Sequence, residues 1–422
     1  MTLVSEIEIP RFEYMDPSLS GERFHQVMNE LGQRSWLASY DMGYVALDRE
    51  AAEFFLRNRG FTFPGKMVAE VFGVTDGPLY EEISRNILHI DGDDHRRLRN
   101  LVNPALTPRA VERYRPAMRR FLDELFERSC SDGRCEFVGA FAKPYPSLTI
   151  ATVMGAPLED ADRLHRWSNL IQRQFASNLF EERELIEGAV TEFYEYAGEL
   201  LERRRAEPGD DLISVLLAAE DAGDRLSDVE CVNLVLNILI GGVDTTQSQL
   251  AHGVRLLAAH PEQWELLAGS PELAPAAVEE VLRFEPITPF TARIALEDVE
   301  YRDVTFPQGT VVLVSAFNGN RDPDAYPEPD RFDITRQTGS DKPLTFGAGI
   351  HYCLGANLAR AEMQEALAFL PARMRDLRLD GEPRFGTVHG IYGLDELPIR
   401  FTVGELEPTA SAPQSRSAVR DR

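Results

Sequence analysis

Cysteine is scarce in this chain, with four among 422 residues. They are Cys130, Cys135, Cys231 and Cys353, and they form neither a Cys-x-x-Cys pair nor a regularly spaced framework. Structural zinc sites and disulfide scaffolds need such spacing. Both classes are therefore excluded, and each cysteine has to be interpreted from its own surroundings.

Long apolar runs are also absent. The longest, Leu234–Val243, is interrupted by Asn237 and is shorter than the roughly 20 apolar residues that a membrane span needs. The segment Met1–Pro17 carries acids and prolines instead of a basic stretch followed by an apolar one, so no signal peptide is indicated. The sequence predicts a cytoplasmic protein without a membrane anchor.

Linkers and internal repeats are missing as well. No stretch rich in Pro, Gly or Ser occurs between residues 20 and 404, and 43% hydrophobic content is ample for a large core. We therefore expect residues 1–404 to form a single domain. Residues 405–422, rich in Ser, Pro, Ala and Arg, are expected to form a disordered tail.

Positive charge is in deficit, since 44 Lys and Arg face 69 Asp and Glu, a net charge of −25. This balance argues against a nucleic-acid partner, because an acidic surface repels phosphates. One segment reverses the balance: residues 95–120 contain eight arginines and a single acid, Glu112. The segment is either a solvated helix face or a docking surface for an acidic partner protein.

Helical periodicity dominates the sequence. It predicts helices over Ala51–Asn58, His95–Leu101, Pro108–Ser129, Pro144–Met154, Asp160–Phe175, Leu185–Arg205, Asp228–Ala259, Pro261–Ala268, Pro275–Phe284 and Ala356–Arg373. Strand signals are fewer, at Tyr44–Leu47, Val304–Phe306, Thr310–Phe317 and Leu397–Val403. The turn-forming triplet 307–309 separates the middle two and predicts a hairpin. We expect a mainly α-helical fold with small β-sheets from the two ends of the chain.

Cys353 has unusual neighbours. The segment Phe346–Gly355 reads Phe-Gly-Ala-Gly-Ile-His-Tyr-Cys-Leu-Gly and precedes an alanine-rich helical stretch. A lone cysteine is ordinarily a small buried hydrophobe. Here Gly347, Gly349 and Gly355 let the backbone approach a large flat group, and a helix start favours a thiolate over a thiol. A thiolate facing a flat group indicates axial ligation of a haem iron.

This segment resembles, position for position, the haem-binding loop Phe-x-x-Gly-x-x-x-Cys-x-Gly of the cytochromes P-450, especially their soluble bacterial branch. The resemblance implies a triangular, helix-rich prism with minor β-sheets, in which haem b lies between a long central helix and the cysteine loop. It makes Cys353 the iron ligand and Phe346, Gly349 and Gly355 parts of the haem site.

A second motif interrupts the predicted helix Asp228–Ala259. Residues 241–246, Gly-Gly-Val-Asp-Thr-Thr, are poor helix formers within an apolar stretch, and threonine can bond back to the preceding turn and bend a helix. A close helix crossing alone would also explain the glycines. The run resembles the family's (Ala/Gly)-Gly-x-(Asp/Glu)-Thr signature. That resemblance implies a groove for dioxygen, a Thr245 hydroxyl that bonds the bound oxygen species, and an Asp244 carboxyl that relays protons.

Asn237, Gly241 and Thr245 are spaced i, i+4 and i+8 and therefore share one helix face. Two interpretations of Asn237 stay open: its amide bonds a polar group of the substrate, or a neighbouring helix satisfies it. By resemblance, the substrate contacts segments 64–90, 167–187, 237–240, 288–291 and 389–394. The expected pocket residues are Asn237, Ile240, Gly241, Thr288, Pro289 and Thr291.

Two sets of charged residues also match the family. Glu280 and Arg283, in Glu-x-x-Arg, and Arg331 correspond to a structural ion network that holds the cysteine loop. Haem carboxylates need cationic or hydrogen-bonding partners. The residues that match the family's partners are His95, Arg99, Arg293 and His351.

The resemblance implies a haem-thiolate monooxygenase of secondary metabolism. It would take two electrons, ultimately from NAD(P)H, through a ferredoxin- or flavodoxin-type donor that docks near residues 95–120. With dioxygen it would hydroxylate or epoxidise an apolar small molecule of terpenoid, steroid, polyketide or fatty-acid type.

Three other functions are alternatives to a monooxygenase: a non-catalytic haem-binding sensor, a haem enzyme that uses peroxide or catalyses a rearrangement, and a cysteine hydrolase. The retained pair Asp244–Thr245 argues against the first two, since neither needs a proton relay. A glycine-packed turn beside His351 argues against the third, since it offers no acyl site.

Overall fold

Helices carry most of the fold. The computed structural model describes residues 2–404, apart from 176–178, 180, 222–225, 338 and 340. Within them, many helices surround four small β-sheets, which confirms the predicted mainly α-helical class. The segment predicted as a disordered tail, 405–422, lies outside the described residues.

The helices agree with most of the predicted ranges. Those of the described residues are α1 (Gly21–Arg34), α2 (Arg49–Arg57), α3 (Gly65–Val71), α4 (Gly77–Arg85), α5 (Gly92–Val102), α6 (Pro108–Val111), α7 (Arg115–Ser129), α8 (Pro144–Met154), α9 (Ala161–Gln172), α10 (Arg183–Ala206), α11 (Leu212–Asp221), α12 (Asp228–Gly242), α13 (Asp244–Ala259), α14 (Pro261–Gly269), α15 (Ala274–Phe284), α16 (Ala316–Gly319) and α17 (Ala356–Arg373). Two predicted helices are divided. The range Asp228–Ala259 breaks at Val243, and a 3-10 turn, Glu112–Tyr114, separates α6 from α7. Pro116 near the start of α7 explains the second division, because proline suits a first helical turn and disrupts a helix interior.

Strands are short. Those of the described residues are β1 (Thr2–Leu3), β2 (Leu37–Tyr40), β3 (Gly43–Ala46), β4 (Phe61–Thr62), β5 (Arg134–Glu136), β6 (Phe290–Ala295), β7 (Val299–Tyr301), β8 (Val304–Phe306), β9 (Val311–Ser315), β10 (Met374–Leu379), β11 (Arg384–Phe385), β12 (Leu394–Glu396) and β13 (Pro398–Val403). The largest sheet has the order β2-β3-β9-β6-β4, in which only β3 and β9 run parallel.

The predicted hairpin between the strands around residues 304–317 is wrong. β8 pairs with β7 and β1, whereas β9 belongs to the largest sheet. The hairpin turn is instead Arg302-Asp303, where both residues have positive φ, as a two-residue turn that matches strand twist requires. Neither residue of that turn is glycine, so the usual signal of a two-residue hairpin turn is absent from the sequence.

The pair α12–α13 is the central helix of the core. Residues Asp228–Ala259 are long and apolar enough to cross a membrane, but 67% of their most apolar window is buried inside the protein. A capping box between Ser227 and Glu230 starts α12. The two helices pack against α8, α9, α10, α15 and α17, so the apolar residues serve burial within the protein.

Candidate functional site

The cysteine loop lies between a 3-10 turn and the start of α17. The Cys353 amide donates to the Phe346 carbonyl at 3.0 Å, which closes the loop on itself. Gly349 has a φ of +74°, and a Cβ there would lie 2.7 Å from the Leu56 carbonyl at the end of α2. Gly355, by contrast, has an ordinary φ of −80°. The glycine at 349 is therefore required by contact with protein, and Gly355 is not required by its backbone conformation.

The Cys353 sulfur is under opposing electrostatic influences. Burial raises the pKa of the thiol, while the Gly355 and Ala356 amides and the guanidinium groups of Arg99 and Arg360 lower it, and burial prevails. The helix start thus directs donors at the sulfur, as the sequence predicts. Full ionisation requires a further positive charge, which a bound metal would supply.

The central helix breaks where the sequence predicts. α12 ends at Gly242, Val243 departs from helical geometry, and α13 begins at Asp244. Thr245 Oγ1 donates to the Gly241 carbonyl at 2.6 Å, the back-bond that bends a helix. A Cβ on Gly241 would meet no atom within 4 Å, although the helix around it is buried. An open groove therefore lies beside Gly241 and Thr245.

Asp244 is 6% exposed and faces α9. Its Oδ2 accepts a hydrogen bond from Ser168 Oγ at 2.6 Å. Burial raises the pKa of Asp244, and the Ser168 hydroxyl and the nearby His165 only partly oppose this. Because of the raised pKa, the carboxyl holds a proton at a higher pH than an exposed aspartate does. Ser168 and His165 were not anticipated from the sequence, since only the fold brings α9 to this position.

The amide of Asn237 is partly satisfied within the protein by a loop residue, and its bond to a substrate stays a prediction. Its Oδ1 accepts from the Ile87 amide at 3.0 Å, whereas its Nδ2 is buried without a hydrogen-bond partner. The contact to Ile87 fixes the orientation of the amide. The side chain therefore presents an unused donor on the face that Gly241 and Thr245 share.

The remaining predicted pocket residues lie on α12, on the loop after α15 and on β6. Ile240 is 3% exposed in α12. Thr288 and Pro289 lie on the loop from α15 to β6, and Thr291 lies on β6 opposite Val314. Thr288 and Thr291 are partly exposed, and Pro289 is buried.

Two of the predicted haem-carboxylate partners are imidazoles in contact. The rings of His95 and His351 are 4.5 Å apart between centroids, and His351 Nε2 lies 2.8 Å from Asp91 Oδ1. That hydrogen bond holds the pKa of Asp91 below its ordinary value. Burial lowers the pKa of His95 to about 4, and His95 Nε2 is buried without a partner. His95 thus has an unused ring nitrogen.

The other two are arginines without a carboxylate in the described residues. Arg293 is 4% exposed, and burial lowers its pKa to about 10. Arg99 donates to the Tyr352 carbonyl of the cysteine loop, and burial lowers its pKa too. Buried cations normally have partners. Two unpaired arginines and one unused imidazole nitrogen near a buried thiol fit a haem, whose two carboxylates would pair with them.

The structural ion network differs from the prediction in one member. Arg283 and Glu280 are fully buried and share two contacts of 2.7 and 2.8 Å. The second arginine on Glu280 is Arg336, whose Nε lies 3.1 Å from Oε2. Arg331, predicted for this role, is 60% exposed and pairs with Asp333 instead. Only the Arg331 carbonyl takes part, as acceptor from both other arginines.

This network reaches the cysteine loop through Asn320. Arg283 donates to the Asn320 carbonyl at 3.1 Å, and Asn320 Oδ1 accepts from the Leu344 amide at 2.6 Å. Thr345 Oγ1 donates to the Leu282 carbonyl of α15. The residues just before Phe346 are thereby tied to the buried ion pair, which agrees with the structural role predicted for Glu280 and Arg283.

A family model described as Cytochrome P450 matches residues 20–267 and 271–371. The chain belongs to the cytochrome P450 family. It is 34% identical over 398 residues to the luteothin monooxygenase of Streptomyces thioluteus, covering 93% of this chain and 96% of the relative. It is 38% identical over 329 residues to the mycinamicin IV hydroxylase/epoxidase of Micromonospora griseorubida, covering 77% and 78%. The crystal structure of CalO2 superposes with a TM-score of 0.88 at 31% identity, covering 94% of this chain and all of that one.

Membership in the P450 family bears on the predicted activity, cofactor, redox partner and fold. The chain is an oxidoreductase of the P450 monooxygenase type, and its relatives include proteins named as a monooxygenase, as a hydroxylase/epoxidase and as a polyketide biosynthesis cytochrome P450. The family cofactor is haem, and its members bind small molecules and need a redox partner. The cytochrome P450 fold predicted from the cysteine loop is confirmed.

Proposed function

We propose that this P450 uses dioxygen and two electrons from a partner protein to hydroxylate or epoxidise an apolar small molecule. The observation that carries the proposal is the acid–alcohol pair Asp244–Thr245 at an open break of the buried central helix, together with Cys353 on a braced loop. A haem-binding sensor has no need of that pair. The names of the relatives, monooxygenase and hydroxylase/epoxidase, support oxygen insertion.

Haem would be held by Cys353 as iron ligand and by His95, Arg99, Arg293 and His351 at its carboxylates. Bound there, it would supply the activation of dioxygen. Phe346, Gly349 and Gly355 shape the loop on the cysteine side. The unpaired guanidinium groups of Arg99 and Arg293 and the unused ring nitrogen of His95 support their assignments. The assignment of His351, whose Nε2 lies on Asp91, rests on the family motif.

The chain's own contribution to the reaction is proton delivery. Burial raises the pKa of Asp244, and Ser168 Oγ donates to its Oδ2 and so fixes the orientation of the carboxyl that would carry the proton. Thr245 lies next in sequence, and its hydroxyl borders the groove beside Gly241. Rotation of that hydroxyl away from the Gly241 carbonyl would present its proton to the groove.

The substrate would be an apolar molecule of terpenoid, steroid, polyketide or fatty-acid type that carries a hydrogen-bond acceptor. Asn237 Nδ2 is the unused donor on the groove face, so a carbonyl, ether or hydroxyl oxygen would bond it. Ile240, Thr288, Pro289 and Thr291 would contribute the mainly apolar walls. Replacing Asn237 by Leu should weaken the binding of a long-chain ketone and spare that of the matching alkane, measured by the spin-state shift of the haem.

The electron donor would be a ferredoxin- or flavodoxin-type protein, reduced ultimately by NAD(P)H, that docks near residues 95–120. Several arginines there are neutralised within the chain: Arg113 pairs with Asp210, and Arg115 and Arg119 pair with Glu365. The other exposed arginines are Arg96 and Arg120, each paired with an exposed acid of its own helix (Asp93 and Glu124), and Arg109, which has no ion pair among the described residues. They would meet the acidic donor, in a protein that we place in the cytoplasm.

The test of the proposed function is the spectrum of the dithionite-reduced protein under carbon monoxide, beside a Cys353→His variant. Thiolate ligation should give a strongly red-shifted Soret band that the variant lacks. A normal Soret position in fresh wild-type protein would overturn the proposal in favour of a haem-binding sensor. A protein that takes up no haem would overturn both.

A further inference from the structure

An ion pair lies directly behind the cysteine loop. Arg360 of α17 contacts Glu279 of α15 through two nitrogens, at 2.5 and 3.1 Å. Both side chains are about four-fifths buried, at 18% and 22% exposure. Glu279 is distinct from the neighbouring Glu280, which belongs to the network of Arg283 and Arg336. The pair is therefore a separate charged unit that the proton route and the structural network do not use.

Arg360 contacts two aromatic residues of the cysteine loop, Phe346 and Tyr352. Its guanidinium carbon lies 4.6 Å from the ring centroid of Phe346, and its Nη1 donates to Tyr352 Oη at 3.2 Å. Phe346 in turn accepts the Cys353 amide, and Tyr352 precedes Cys353 in sequence. The planar guanidinium thus fixes the two aromatic rings while its charge stays beside the loop.

The two charges of the pair are placed differently relative to the cysteine loop. Burial lowers the pKa of Arg360, but the hydrogen bonds and charge of Glu279 raise it more, so that the guanidinium remains ionised. Among the described residues, the contacts of the pair with the loop are made by Arg360, at Phe346 and Tyr352. The cation is therefore the partner at the loop, and the acid partly offsets its charge from behind.

We propose that the Glu279–Arg360 pair sets the reduction potential of the haem iron that Cys353 would ligate. The proposal rests on the haem-thiolate function above. Reduction adds one electron to the site with no bond formed or broken, and a nearby cation stabilises the more negative state. Arg360 thus favours reduction and Glu279 opposes it. The balance of the two charges sets how favourable electron transfer from the redox partner is, and neither residue has to contact the substrate.

The experiment measures the midpoint potential of the haem-loaded protein by dithionite titration with mediator dyes, which needs neither substrate nor partner. Glu279→Gln should shift the potential to more positive values, and Arg360→Gln should shift it to more negative values. Arg360→Lys keeps the charge and should stay near the wild type. The matched control is Arg373→Gln: Arg373 is also on α17, stacks on Phe369 at 3.5 Å and pairs with Asp123, and its loss should leave the potential unchanged.

A purely structural role for Arg360 predicts a different pattern. Both variants would then loosen the loop and shift the potential in the same direction, or shift nothing, and either result overturns the proposal. Should Arg360→Gln fail to load haem, the decision rests on a positive shift in Glu279→Gln and an unchanged value in Arg360→Lys. The red-shifted carbon monoxide band of the wild type is recorded in parallel. Its absence would be a failure of the proposed function and not of this inference.

Discussion

At the scale of single residues, two arginines of one loop have opposite environments. Arg336 is 10% exposed and lies on the fully buried Glu280, whereas Arg331 is 60% exposed on the surface. A buried carboxylate that loses one of two cations keeps part of its desolvation penalty uncompensated. An exposed ion pair contributes little, because water screens it.

Replacing Arg336 by Met should therefore lower the free energy of unfolding by about 2 kcal/mol, within the range for lost charged hydrogen bonds. Replacing Arg331 by Met should change it by less than about 0.5 kcal/mol, as is usual at the surface. Denaturant titration of both variants measures the difference. Equal losses would show that Glu280 does not depend on Arg336.

Glu362 illustrates a buried acid without a cation. It is fully buried on α17, neither of its oxygens has a hydrogen-bond partner, and burial raises its pKa well above the ordinary value, with Thr149 opposing weakly. The folded state therefore keeps this proton over a pH range in which the unfolded chain has lost it. The contribution of Glu362 to the free energy of unfolding is therefore smallest at high pH.

From this sign we expect Glu362→Gln to raise the thermal midpoint at pH 8 relative to the wild type, and to change it less at pH 5. Above the ordinary pKa of 4.5 the unfolded state releases the proton, so the wild type loses stability as pH rises and the neutral amide does not. Thermal unfolding at the two pH values measures this. If Glu362→Gln changed the thermal midpoint by the same amount at the two pH values, the cause would be packing and not titration of Glu362.

A site residue could be predicted from the sequence where a motif contains it. It could not be predicted where the fold decides which of two residues of the same type occupies the site. Cys353, Asp244 and Thr245 lie in runs that align with the family's motifs in a single register, and their roles stay predictions. Arg331 was predicted for the ion network by its position, whereas the fold brings Arg336 to Glu280. The acids around Arg331, Glu328 and Asp333, were the available sign that it would pair locally.

At the scale of elements, the break between α12 and α13 contains two glycines with different surroundings. A Cβ on Gly242 would lie 2.3 Å from Ile150 Cδ1 on α8, whereas one on Gly241 would lie in open space. Glycine weakens a helix by about 1 kcal/mol relative to alanine. Overpacking a core weakens it by about 1–3 kcal/mol.

Gly241→Ala should therefore raise the free energy of unfolding by up to about 1 kcal/mol in the haem-free protein, while its methyl group narrows the groove. Gly242→Ala should lower it, by about 1 kcal/mol after the helix gain is subtracted. Denaturant unfolding of the two haem-free variants measures the signs. Destabilisation by Gly241→Ala would mean that the groove beside it is closed in solution.

Helices were predicted better than strand pairing for a physical reason. The signals that bound a helix are local: α8 begins at Pro144 and ends before Gly155, whose φ of +78° is left-handed, so its bounds follow from sequence. Pairing depends on contacts between distant segments, and a turn such as Arg302-Asp303 has no glycine to announce it. The same limit hid Ser168, because its contact with Asp244 joins two helices that only the tertiary fold makes neighbours.

At the scale of the whole molecule, a net charge of −25 would repel an acidic electron donor everywhere except at local basic sites. Internal pairs already neutralise much of segment 95–120. Glu365 alone takes up Arg115 and Arg119. The docking proposal consequently depends on the exposed Arg96 and Arg109.

The double variant Arg96→Glu and Arg109→Glu should slow electron transfer from a reduced ferredoxin by about tenfold at low ionic strength, and the difference should vanish at high salt. Stopped-flow reduction under carbon monoxide measures the rate. Arg119→Gln is the matched control and should have a small effect. If it slows transfer as much as the double variant does, the donor docks elsewhere on this face or the internal pairs open on docking.

The largest sheet has a consequence for how the chain folds during synthesis. β2, β3 and β4 come from the first part of the chain, and β2 pairs with β3, but β9, the other partner of β3, and β6, the partner of β4, come from residues 290–315. A ribosome adding about 5–20 residues per second leaves β3 and β4 without these partners for tens of seconds. Edge strands left unpaired for so long invite association with other chains. Crowded expression should therefore favour inclusion bodies, and slower, cooler synthesis with a chaperone that covers the N-terminal strands should raise the soluble yield.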